Sequence, residues 1–167
     1  MDQPRTAVVY ADYAQFYIQD LRGQHAAEAD EDYDWPEAWS EDAVAVHRIG
    51  LDGPCSIAIG TARSDFVETT LQVHPAAPPV FEADHIVEAS LAVPSGVVHV
   101  FGCTERPGPE HRVEIPAGQY RIRVSYVPCG PAPASVGPAT DGPYFRYRLD
   151  LWPDSRVSGV AVIRQGH

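Results

Sequence analysis

Side chains able to do chemistry are few in this sequence, and their spacing is unhelpful to catalysis. There is no lysine; all 12 basic residues are arginine. Schiff-base, P-loop-lysine and Ser-Lys chemistry are therefore excluded. Cys55, Cys103 and Cys129 stand far apart, form no CxxC, and show no local signature of a cysteine nucleophile. Cys55 reads as a small core residue on an apolar strand. The seven histidines form no HxH, HxxxH or HExxH pair, and His99 sits inside an apolar run where a half-buried core role is expected. GxSxG and the glycine-rich phosphate fingerprints are absent. A carboxylate pair of the glycosidase type would have to be assembled in space. The sequence thus offers no catalytic residue, metal ligand or cofactor motif, and a non-catalytic protein is expected.

The one dense constellation is acidic. Residues 1–42 carry 11 carboxylates and 2 arginines; the rest of the chain carries 12 and 10. The run Glu28-Ala29-Asp30-Glu31-Asp32-Tyr33-Asp34 is followed by Trp35, Glu37 and Trp39. Carboxylates at this density steer encounter with a basic protein, and adjacent tryptophans supply buried anchors. Asp30, Glu31, Asp32, Asp34, Trp35 and Trp39 are accordingly the expected partner-binding residues, against the plainer reading of a solvated loop whose tryptophans plug one end of the fold. A nuclease, with a groove built for phosphate, is the expected class of basic partner. The net charge of −11 and pI near 4.9 argue against direct contact with nucleic acid. Arg121, Arg123, Arg146 and Arg148 alternate with tyrosines on two strands. They read as a solvated sheet face paired to Asp150 and Glu114, with a basic binding strip as the alternative.

The elements that must carry these residues are strands. Gln119–Val127 and Pro143–Leu151 alternate strictly between apolar and polar positions. Further strands are expected over 7–18, 43–49, 55–61, 67–73, 86–93, 97–101, 111–115 and 159–163. Pro/Gly turns punctuate them, among the 16 prolines and 13 glycines. This pattern predicts an all-β fold: a two-sheet antiparallel β-sandwich forming one domain over 1–167. One short helix is expected near 34–42, capped by Asp34, with Trp35 and Trp39 on one face. Residues 20–33, 74–81 and 128–142 are expected to be irregular. No apolar run reaches the ~20 residues of a spanning helix, so no transmembrane segment is expected. No leader is visible at the start, which with unpaired cysteines predicts a reducing, cytoplasmic setting.

In the order of its features the chain resembles the competence protein J family, inhibitors of a DNA-entry nuclease. The resemblance rests on Tyr13-Ala14-Gln15-Phe16, on Asp34-Trp35-Pro36-Glu37-Ala38, on the glycine-led apolar strand Gly53 to Thr61, and on Pro116-Ala117-Gly118-Gln119-Tyr120 opening a strand that ends at Val127-Pro128. It runs in order over roughly residues 8–165. It implies a β-sandwich that binds and inhibits a nuclease and catalyses nothing. Relative to that pattern the chain is longer at 20–33, 103–111 and 129–142. A binding module for a small ligand or a sugar, using Tyr144 and Tyr147 at a loop end, is the alternative.

Overall fold

A computed structural model describes residues 3–130 and 142–167. Among these residues eleven strands form two sheets. They are β1 (Arg5–Tyr10), β2 (Gln15–Gln19), β3 (Ile49–Leu51), β4 (Ser56–Gly60), β5 (Phe66–Val73), β6 (His85–Val93), β7 (Val97–Gly102), β8 (Arg112–Glu114), β9 (Gly118–Pro128), β10 (Phe145–Pro153) and β11 (Ala161–Arg164). The six-stranded sheet runs β1-β5-β10-β9-β6-β11 and the five-stranded sheet β3-β4-β2-β7-β8. The all-β, two-sheet architecture matches the alternation of the sequence. One pairing departs from the antiparallel expectation: β10 lies parallel to β5, with Leu149 opposite Leu71. Residues 74–144, 71 in all, separate the two strands, ample for the crossover a parallel pair requires.

The period-2 pattern places Tyr120, Ile122, Val124 and Tyr126 of β9 and Tyr147, Leu149 and Leu151 of β10 inward. They meet Phe16, Ile18, Ile57, Ile59 and Val98 from the other sheet. Phe16 sits edge-on to Tyr147 with ring centroids 5.3 Å apart. Each such side chain contributes about 1.5–3 kcal/mol when fully buried.

Three local expectations are corrected. Residues 7–18 are not one strand: a tight turn at Asp12–Ala14 breaks the run and carries the chain from one sheet to the other. The only longer helix among the described residues, α1 (Leu21–Glu28), occupies the stretch expected to be irregular. Residues 34–40 lie in irregular and turn conformations, and a helical turn follows at Ala43–His47 where a strand was expected. Asp20 explains the first helix. Its carboxylate accepts from the Gly23 N–H at 2.9 Å, an N-cap that ends β2 and starts Leu-Arg-Gly-Gln-His-Ala-Ala-Glu. Asp34 has no such role; the chain there is held by packing against β3.

Over β6, β9 and part of β10 the outer face of the larger sheet is covered. Residues 74–83 and 154–160 are held across it by arginine side chains. Arg123 donates to the carbonyls of Pro78 and Pro79 at 2.9 and 3.2 Å. Arg121 donates to the carbonyls of Ser158 and Gly159, both at 3.1 Å. Arg148 lies over the Phe81 ring, 4.1 Å from its centroid.

Candidate functional site

The acidic segment becomes a strap across an edge strand. α1 ends at Ala29, and an Asx turn follows, in which Asp30 Oδ1 accepts from the Asp32 N–H at 3.0 Å. The chain then runs along β3 and its turn. Trp35 rests on Gly53, where a Cβ would come within 2.5 Å of the indole; Gly53 also takes φ 99°, which favours glycine. Ala38 crosses Gly50 so closely that a Cβ there would lie 2.4 Å from the Ala38 carbonyl oxygen. The strap thereby covers the outer strand of the smaller sheet, an edge that would otherwise offer itself for pairing. Tyr33 meets Trp35 edge-on, centroids 4.9 Å apart.

All four expected carboxylates, Asp30, Glu31, Asp32 and Asp34, are exposed on this strap. None forms an ion pair among the described residues. Beside the strap, burial, then the Glu28 charge, holds the Asp52 carboxyl above its ordinary range. Trp35 keeps 39% of its surface exposed beside them. The two tryptophans do not share a face. Trp35 stands at the β3–β4 turn, whereas Trp39 lies at the far end of β3, its indole N–H donating to Gln15 Oε1 at 3.0 Å.

At that far end a cavity of about 580 Å³ opens, walled by Tyr13, Trp39, Tyr126, Phe145, Val44 and Arg48. The Tyr126 hydroxyl lies 2.8 Å from the Arg48 carbonyl and 3.0 Å from that of Gly60, and donates to them. Tyr13, Ala14 and Arg48 are the non-glycine residues with positive φ among those described, at 55°, 54° and 61°, and all three line this cavity. Such conformations each cost about 1–3 kcal/mol and gather at binding sites.

The arginine expectations are corrected in detail. Arg121 and Arg123 are buried, and both reach Glu88, at 3.6 and 2.9 Å. Arg148 chelates Asp150, which also holds His74 Nε2 at 2.7 Å. Arg146 pairs with Glu68, and Glu114 pairs with Arg112. Arg121, Arg123 and Arg148 fasten loops, Arg146 pairs across two strands, and the four form no exposed basic strip. Tyr147 is buried in the core, and Tyr144 is occupied by Asp65 Oδ2 at 3.3 Å and by the Arg63 guanidinium at 4.0 Å, so neither builds a loop-end platform. Cys55 is buried, and burial pushes its thiol up to about 11. Burial lowers His85 and His99. No group of three or more His, Cys, Asp or Glu among the described residues is placed to hold a metal ion. No helix among them is long and apolar enough to cross a membrane.

No protein-family model and no curated protein matches the chain. Two solved structures share its fold. One is ComJ from Bacillus subtilis, described as the inhibitor of the DNA-degrading activity of NucA: TM-score 0.60 at 13% identity, covering 90% of this chain and 95% of that one. The other is described as crocagin biosynthetic gene J: TM-score 0.55 at 17% identity, covering 91% and 97%. At these identities the likeness is one of fold, a two-sheet sandwich followed over nearly its whole length.

Proposed function

We propose that this chain is a non-catalytic, cytoplasmic protein-binding domain that inhibits a basic nuclease, docking through the acidic strap. The observation that carries the reading is the row of exposed, unpaired carboxylates mounted on a packed edge strand. Asp30, Glu31, Asp32 and Asp34 supply long-range attraction; Trp35, half-seated on Gly53, supplies apolar area that a partner would finish burying. The fold shared with an inhibitor of a DNA-degrading enzyme supports the class of partner. Trp39 belongs to the same strap but faces the cavity, so it supports the docking face from below.

The test is the quadruple variant Asp30→Asn, Glu31→Gln, Asp32→Asn, Asp34→Asn, mixed by stopped flow with a candidate nuclease from the same cell. Four charges are removed, taking −11 to −7. Association at low salt slows by about ten-fold or more and its salt dependence flattens, since steered encounters run orders of magnitude above the unsteered ~10⁵–10⁶ M⁻¹s⁻¹. Melting is unchanged, because the four side chains are exposed and outside any ion pair, and asparagine at 30 keeps the oxygen that accepts from the Asp32 N–H. An unchanged rate and salt slope would refute docking by the strap.

A further inference from the structure

We propose that the cavity between Trp39 and Tyr126 is a binding site for a small planar aromatic carboxylate. Its volume, about 580 Å³, falls in the range of small-molecule sites. Its walls are rigid: the Trp39 ring is fixed by its bond to Gln15, and the Tyr126 ring by the two carbonyls its hydroxyl meets. Tyr126 also stands edge-on to Tyr147, His85 and Phe145. Tyr13, 75% exposed, forms the outer wall, and Val44, 60% exposed, the rim. A flat ring slotted against Trp39, Tyr13 and Phe145, over a floor fixed by the buried Tyr126, gains stacking and edge contacts.

Arg48 sets the charge of the occupant. Among the described residues no Asp or Glu side chain lines the cavity, and Arg48 does. Its fork is only loosely engaged: Asp84 Oδ2 stands 3.8 Å from Nη1, and Nη2 donates to the His167 carbonyl oxygen at 3.2 Å. His167, which also lines the cavity, already sets an oxygen against this guanidinium. An aryl carboxylate would take that place with a bidentate, charge-assisted contact. A cationic side chain of a docked partner would instead meet Arg48 as a like charge.

The probe is 2-naphthoate, with uncharged 2-naphthamide as its control, titrated against the intact protein by tryptophan fluorescence. Expected is saturable binding of naphthoate below about 1 mM, with naphthamide at least ten-fold weaker. Trp39→Leu removes the signal and most of the affinity. Arg48→Gln brings acid and amide to the same affinity, and Arg48→Lys restores part of the preference. Val44→Glu, a rim change away from the packed walls, abolishes naphthoate binding while leaving the melting temperature in place. Equal affinity for acid and amide in the unmodified protein would overturn the proposal, as would absence of saturation or binding indifferent to Val44→Glu. Strap variants that fail to slow nuclease association leave this site untouched, so the two readings fail separately.

Discussion

Asp20 is a fully buried carboxylate on which the base of the strap depends, and Asp20→Asn is the sharpest test of that role. Oδ1 accepts from the Gly23 N–H at 2.9 Å and the Ser95 hydroxyl at 2.7 Å; Oδ2 accepts from the Ser95 N–H at 2.8 Å. One group therefore caps α1 and ties it to the β6–β7 turn. Asparagine keeps the shape. With its oxygen toward Gly23, its amide must face the Ser95 N–H, donor against donor. One charge-assisted bond is lost and two are weakened, each worth about 1.5–3 kcal/mol, with a partly buried N–H left unpaired. A net loss of about 3 kcal/mol follows. For a chain of this size that is roughly a 6–12 °C fall in Tm. Urea titration at pH 7 should show a lower midpoint at unchanged slope. Hydrogen exchange should quicken at Gly23, Gln24 and Ser95 before the core strands. A loss under about 1 kcal/mol, or exchange unaltered at those amides, would refute the view that Asp20 fastens the helix and the strap beyond it.

Three further outcomes can be checked. His85 Nδ1 accepts from the Gly166 N–H at 3.1 Å while Nε2–H donates to the His47 carbonyl at 2.9 Å, so the ring must stay neutral. Burial lowers its folded pKa below the ordinary ~6.5, so its stability contribution is whole above that pH and is lost as pH falls through the window beneath it; urea midpoints between pH 7 and 5 should slope less in His85→Gln, and equal slopes would exclude the assignment. Glu88→Gln leaves two buried guanidinium groups without their counter-charge and should cost about 2–3 kcal/mol by urea titration, whereas Glu68→Gln, in the exposed pair with Arg146, should cost under about 1 kcal/mol. Cys55, with its thiol near 11 and 3% of its surface accessible, should resist iodoacetamide at pH 8 in the folded protein, as followed by mass spectrometry.

The strands were legible because a half-buried sheet imposes a period of two, and β9 and β10 obey it residue by residue. The same pattern misled where burial came from elsewhere. Arg121 and Arg123 alternate as a solvated face would, and only tertiary structure brings the 74–83 and 154–160 segments over them. α1 carried its signal in Asp20, a capping residue followed by good helix formers, but the acidic run just beyond drew the assignment toward loop. The turn at Ala43–His47 has β-branched valines, and local propensity gave way there to a left-handed Arg48. The carboxylates and Trp35 could be located on one surface from their proximity in sequence. The separation of Trp39 from Trp35 could not, since it depends on the strap running extended along β3. Three left-handed non-glycine residues meeting at one cavity leave no trace in composition at all.

The parallel pairing of β5 with β10 bears on how the chain is made. β5 is complete by residue 73, and one of its neighbours, β1, precedes it, but the strand on its other side spans residues 145–153. While the ribosome works through the intervening segment, a nascent sheet with one unzipped flank must wait in solution. Loop closure over so long a span is slow, and the waiting flank is sticky. Truncated translation products lacking β10 should therefore be strong chaperone clients, and the docking of β10 should act as the step that releases the newborn protein from them.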